Sequence, residues 1–292
     1  MRRFLEISMP LLLFAVSAAS ADTKETSSGS PRPAAGYFGL RNSKYSNQAN
    51  GVPEVAEQLR DITVDPKEVA DSQAVPAKVR SPKPAVDLTE GVYKYNAKIG
   101  MGDQGVALKM ATIVRHENGA WTVTEMMETP SGAATDITIL ERGTLILKKR
   151  TLNQGTAEVN LEFTDDRASG SLDLNGRERP IAVQLGGPVF ADAAGAQQVI
   201  GCLPLAPGYS AKFRNFDIQK QKEKLMQLTV TGQESVTVPA GTFDAYRVEL
   251  TSADGGPDKA TLWIARDSRK AVKMTAVLPQ MSGATLTTEL LQ

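Results

Sequence analysis

The sequence predicts an all-β, mainly antiparallel domain: a curved sheet or partly open β-barrel with one short helix, preceded by a disordered linker. Period-2 alternation of apolar and polar residues recurs from residue 90 onward, as in strands with one buried face. Turn chemistry separates the alternating runs. The composition also changes sharply near residue 89, where a proline-rich stretch ends.

The clearest run is 226–277. Along 243–251, Tyr246, Val248 and Leu250 fall on one side and Arg247, Glu249 and Thr251 on the other. Val238-Pro239-Ala240-Gly241 precedes it. Pro239 brings no amide hydrogen to a ladder and Gly241 tolerates positive φ, so the tetrapeptide ends a strand at 235–238 and turns the chain back. Residues 261–265 and 271–277 alternate again around the polar turn 266–269, which makes a meander.

Upstream, 91–99 and 106–117 read as strands, and Asn118-Gly119 is a strong hairpin signal leading into 120–127. A strand at 145–152 follows. Ala157, Val159, Leu161 and Phe163 then alternate with Glu158, Asn160 and Glu162. Leu172 and Leu174, Asn175-Gly176, then Ile181, Val183 and Leu185 make another hairpin, with a loop expected to exceed two residues because Pro180 cannot donate. Residues 192–200 carry an N-cap candidate in Asp192 and good helix formers, ended by Gly201 and Pro204. Strands at 209–218 and 225–231 complete a single domain over 90–292, in which Met226, Leu228 and Val230 share a side. No fixed-period repeat points to a propeller or solenoid.

The N-terminus has Arg2 and Arg3, an apolar stretch 9–16 and small residues ending in Ala19-Ser20-Ala21, the three parts of a secretory signal. Residues 1–21 are therefore read as a signal peptide. The apolar run is short for a membrane of about 30 Å, and no Cys follows the expected cut to carry a lipid. The expected product is periplasmic or secreted, without a transmembrane segment. Residues 22–89 hold seven prolines and read as a disordered linker, with one marginal helical piece at 53–61.

The chain carries 33 basic and 33 acidic residues. A near-neutral balance supplies no electrostatic attraction to nucleic acid. Cys202 is the only cysteine, which rules out an internal disulfide, and its apolar neighbours predict a buried thiol. His116 is the only histidine, so a His-based triad or two-His metal site is excluded within one chain. It reads as a solvated residue beside a turn.

Gly100-Met101-Gly102-Asp103-Gln104-Gly105 has the letters of a dinucleotide motif. That motif needs a following helix, and 106–114 is rich in β-branched residues, so a glycine-rich turn is expected. The loop carboxylates at 165–166 and 254–258 lack calcium-loop spacing. No nucleophile motif occurs. The sequence therefore assigns no catalytic residue, no metal site and no cofactor. Carboxylate pairs such as Glu125 with Glu128, or Asp136 with Glu141, make an acid/base dyad only if folding brings them together. The aromatics Trp121, Phe163, Phe190, Phe213, Tyr246 and Trp263 are the weak candidates for an apolar ligand cavity; filling the core is the competing reading.

The segment 238–243 with Tyr246-Arg247-Val248, followed by Thr261-Leu262-Trp263-Ile264 and Val272-Lys273, resembles an exported bacterial family of domains of unknown function. Leu203-Pro204-Leu205 before Gly208-Tyr209 fits the same kind of domain. The resemblance implies a β-rich envelope domain, distantly similar to lipoprotein-sorting carriers that hold acyl chains, and implies no catalytic residues. The function expected is a non-enzymatic exported envelope β-domain that binds an apolar or lipid-like ligand or an envelope protein. A carboxylate-based hydrolase and a scaffold presenting a sheet edge are the alternatives.

Overall fold

The computed structural model describes residues 79–101, 104–129 and 132–291. The stretch read as a signal peptide, 1–21, and most of the stretch read as a linker, 22–89, with the helical piece expected at 53–61, lie outside the described residues.

The element order is β1 (Gly91–Met101), β2 (Gln104–Glu117), β3 (Ala120–Thr129), β4 (Gly132–Glu141), β5 (Leu147–Gln154), β6 (Ala157–Phe163), β7 (Arg167–Leu174) and β8 (Arg177–Gln184). Helix α1 (Ala196–Gly201) precedes β9 (Ser210–Asp217), β10 (Lys222–Val238), β11 (Gly241–Ser252), β12 (Lys259–Ala265), β13 (Ala271–Leu278) and β14 (Ala284–Leu290). All fourteen strands form one antiparallel sheet in the order β8-β7-β6-β5-β4-β3-β2-β1-β14-β13-β12-β11-β10-β9. Two meanders are thus stitched together where β1 pairs with β14, Tyr95 lying opposite Leu290.

Chain connectivity then sets a geometric problem. Strands β8 and β9 follow one another in sequence yet stand at opposite edges of the sheet. The sheet answers by curling. Phe163 of β6 meets Phe216 of β9 edge to face, ring centroids 5.8 Å apart, although these strands would lie roughly 50 Å apart in a flat sheet. The edges do not join, so the architecture is a strongly curved open sheet and not a closed barrel.

The second meander follows the sequence reading closely. Met226, Leu228 and Val230 are buried on β10, as are Val248 on β11, Leu262 and Ile264 on β12 and Met274 on β13. Pro239-Ala240 is a two-residue connection, with Val238 opposite Gly241. Strand β10 is longer than expected: 225–231 and 235–238 are one strand, bent by an irregularity between Val230 and Gly232.

Other expectations are corrected. The Asn175-Gly176 hairpin is tight, Leu174 pairing with Arg177. Pro180 is tolerated because β8 is an edge strand with a neighbour on one side only, so half its amides have no ladder partner to serve. The helix starts at Ala196 with Gly195 at its N-cap, not at Asp192. Strands β4 and β14 add to the expected set: in β4 the apolar Ile137 and Ile139 lie on the less buried side, and β14 is rich in threonine. The glycine-rich stretch, as expected, belongs to a hairpin: Gly100 and Gly105 lie on β1 and β2, Met101 pairs with Gln104, and a strand follows.

Candidate functional site: a buried acidic cluster beneath an internal plug

Between β8 and β9 the chain crosses the open side of the curved sheet. From Val189 to Leu203 every residue except Ala196 is buried. This plug is fixed at its N-terminal end by backbone contacts: Leu147 N–H donates to Val189 O at 3.0 Å, and Phe190 N–H donates to Arg214 O at 2.9 Å. Its Ala-rich stretch lets backbone approach backbone. Three residues in alternation, Ala191, Ala193 and Gly195, have positive φ of 47°, 62° and 79°, a curl that points successive amides the same way.

That curl meets carboxylates. Glu125 of β3 and Asp136 of β4 are direct cross-strand partners. The Gly195 backbone faces Glu125 and the Ala194 backbone faces Asp136, each acting to favour the ionised carboxylate. Thr138 Oγ1 donates to Ala194 O at 2.9 Å. Arg150 of β5 grips Asp136 with two bonds, Nε to Oδ1 at 3.1 Å and Nη2 to Oδ2 at 2.8 Å. From the plug itself, Asp192 Oδ2 accepts the Phe216 N–H of β9 at 3.0 Å. A Cβ on Gly195 would lie 2.7 Å from Val123 Cγ1, so the plug sits directly on the strand that carries Glu125.

Three carboxylates thus share one guanidinium, all four groups at most 3% exposed. Burial, then the neighbouring Asp136, pushes the Glu125 carboxyl up to about 8. Burial raises Asp192 to about 6 against the pull of Arg150. Asp136 is also raised by burial, though its Arg150 partner pulls the other way. For Arg150 burial acts to lower the pKa, but its carboxylate neighbours, Asp136 foremost, outweigh it and hold the guanidinium charged. Hydrogen-bonding capacity is left over: Asp192 Oδ1, Gln197 Oε1 and Thr112 Oγ1 are buried without a partner.

A strap over 79–90 lies across the plug. Ala85 N–H and Val86 N–H both donate to Cys202 O. Arg214 Nη1 donates to Val79 O. Trp121 Nε1 donates to Asp87 Oδ1 at 2.7 Å. The final residues of the stretch read as linker are therefore part of the domain's cover. Cys202 is buried, and burial pushes its thiol up to about 12, so it acts as a small core group.

Neither anticipated carboxylate pair forms. Glu128 is exposed, and Glu141 lies on the outer face with Thr144 and Lys148. One member of each pair comes together instead, Glu125 with Asp136. The visible signal was Glu125 at the same parity as Trp121, Val123 and Met127. Asp136 was hidden: Ile137 and Ile139 suggest the opposite side of β4 as the core side, yet they are half exposed and Asp136 and Thr138 are buried. Arg150 was hidden by a register shift opposite Ile139 and Leu140, which brings it inward alongside Leu147.

The aromatic candidates separate into two groups. Phe163, Phe190 and Phe213 are buried, Phe163 against Phe216 and Phe190 against Phe213 in edge-to-face contact. Trp121 is buried beneath the strap and stacks at a tilt on exposed His116. Tyr246 and Trp263 are partly exposed. Tyr246 lies under Arg266 and Arg269, and Trp263 carries Lys273 over its ring and donates to Glu234. A concavity of about 210 Å³ lies on the outer face, lined by Lys149, Asn160, Glu162, Ser169 and Ser171. Among the described residues no cluster of three or more His, Cys, Asp or Glu is arranged to hold a metal, and no helix is long and apolar enough to cross a membrane.

No curated protein matches the chain. Among solved structures, the hypothetical lipoprotein YmcC from Escherichia coli aligns over 85% of this chain and 98% of its own, with 9% identity and a TM-score of 0.30. An exported protein with a YmcC-like fold from Bacteroides fragilis covers 72% and 98%, at 9% identity and TM-score 0.27. A DUF1329 family protein from Desulfovibrio piger covers 70% and 84%, at 12% identity and TM-score 0.27. Residues 92–286 match the family described as "Protein of unknown function (DUF3108)", and the chain belongs to that family.

Proposed function

We propose that this is a non-enzymatic, exported envelope domain whose curved sheet receives an apolar, lipid-like ligand when the plug gives way. The observation that carries the reading is how the interior is covered. The sheet's apolar inner face is shut by one crossing segment and a strap, held by a limited set of polar contacts, and not by pairing of its edges. The signal-like N-terminus supports export.

Native mass spectrometry and lipid extraction of purified protein, with titration of a fluorescent fatty acid, test it. Co-purified lipid or saturable uptake of the probe is expected. Protein that arrives empty and takes up no probe overturns the reading.

A carboxylate-based hydrolase is the second reading, favoured by the juxtaposed Glu125 and Asp136. The plug packed over both carboxylates, and the two bonds from Arg150 that occupy Asp136, speak against it. Turnover across a glycoside and ester panel that disappears in Glu125→Gln would support it. The scaffold reading has less behind it: edge strand β8 carries Arg177, Glu178, Arg179 and Pro180, devices that keep an edge unpaired.

A further inference from the structure

The plug and the cluster beneath it form a coupled pair. Most of the polar contacts between the plug curl and the sheet involve a carboxyl group, whose acceptor strength depends on its protons. The backbone of Gly195 and Ala194 faces Glu125 and Asp136, Thr138 donates to Ala194 O, and Asp192 accepts the Phe216 N–H. Only Arg150 balances the three carboxylates.

We infer that the segment 186–205 is a gate over the sheet's interior and that the protonation of the Glu125–Asp136–Asp192 cluster keeps it shut. In the closed state the three acids are crowded, dry and short of counter-charge, so closure requires at least one to be neutral. A neutral Glu125 supplies a hydroxyl donor beside an unpartnered oxygen, Thr112 Oγ1 of its direct cross-strand neighbour. Lifting the plug admits water, lets Glu125 ionise and relieves the crowding. Closure should therefore weaken as the pH rises.

Other charged and titratable groups also pack around the plug. Tyr95, whose Oη accepts from Gln198 and donates to Ala271 O, and Cys202 are both raised by burial and stay neutral throughout. Tyr93 is raised likewise. Arg269 donates to Leu203 O, Arg214 pairs with Glu223, whose Oε2 also accepts the Gly186 N–H, and Asp87 accepts from Trp121. These set the strength of closure, while the cluster sets its pH dependence.

The strain in the curl fits a segment held against its own preference. Alanine at positive φ, as at Ala191 and Ala193, is a disfavoured conformation for a residue with a Cβ. It persists where surrounding contacts over-determine it, and here those contacts are the cluster's. The gate shares its interior with the proposed ligand but is measured on ligand-free protein, so either can fail alone.

The test is hydrogen exchange followed by mass spectrometry on the full chain, with rates divided by the intrinsic rate at each pH. Between pH 6.5 and 8 the protection of peptides over 189–203 should fall by up to about tenfold per unit, one proton leaving per opening, while peptides in β10 and β11 keep theirs. Glu125→Gln should flatten that slope with the plug still protected. If the slope survives in Glu125→Gln, or if plug and sheet lose protection together, the gate is overturned. Should that variant not fold, Asp192→Asn decides in its place: the slope between pH 4.5 and 6 should flatten, and an unchanged slope sinks the proposal.

Discussion

The two meanders solve the same packing problem with different chemistry. Strands β9–β14 present an inner face dominated by Leu228, Val230, Val248, Leu262, Ile264, Met274 and Leu286. Strands β2–β5 present Thr112, Glu125, Asp136, Thr138 and Arg150 among Val123, Met127 and Leu152. Both faces are equally dry. The difference lies in what lies over each: the polar group is met by the exposed amides and carbonyl of an irregular segment, which cannot be buried against hydrocarbon without partners. Polar residues on a buried face are here the signature of backbone packed against a sheet.

Raising the pH should divide the meanders most strongly. Glu125 binds its proton up to about pH 8 in the fold, against an ordinary carboxylate pKa of about 4.3 in the unfolded chain. Stability contributed at low pH is therefore lost as the pH rises through that interval, by up to about 5 kcal/mol. Asp192 adds to the loss below about 6. Glu141 and Asp254, both lowered, change stability in the opposite sense but below this window. Urea unfolding should give a midpoint that falls steadily from pH 5 to 8.5, and a flat profile would show that the cluster does not bear on stability.

Arg150→Ala strips the first meander of its counter-charge and should cost about 4 kcal/mol at pH 7, with the loss shrinking in acid as the carboxylates take up protons. Denaturation at pH 5 and 8 measures both. The matched change in the second meander, Leu228→Ala, should cost about 3 kcal/mol by leaving a cavity, with no dependence on pH. A pH-dependent loss there would erase the distinction. The smallest effect belongs to the outer face, where Lys273 and Glu289 pair at 2.8 Å but stay partly exposed. Lys273→Ala should cost at most about 0.5 kcal/mol and less in high salt.

The same contrast explains what could be read in advance. Val159, Leu161 and Phe163 on β6, and Met226, Leu228 and Val230 on β10, alternate so regularly that strand and buried side are both evident from the chain. Asn118-Gly119, with φ of 53° and 78°, declares its hairpin outright. In β4 the apolar Ile137 and Ile139 point to the wrong side. A strand buries whichever face is covered, and here the cover comes from residues 50 to 60 positions away. The plug itself, with Asp192-Ala193-Ala194-Gly195-Ala196, carries small residues that suit a helix start. Only the surrounding sheet makes most of it an irregular, fully buried curl.

By itself, then, the sequence determined the β architecture, the hairpins, the short helix after β8 and the exclusion of a His-based triad, a two-His metal site and an internal disulfide within one chain, because these follow from side-chain periodicity, turn conformations and residue inventory. The tertiary structure alone decided how far the sheet curls, which face of β4 turns inward, and that Glu125, Asp136, Arg150 and Asp192 meet beneath the plug. Those outcomes depend on contacts between strands and loops far apart in the chain, and a buried charge acquires its partners only when the fold assembles them.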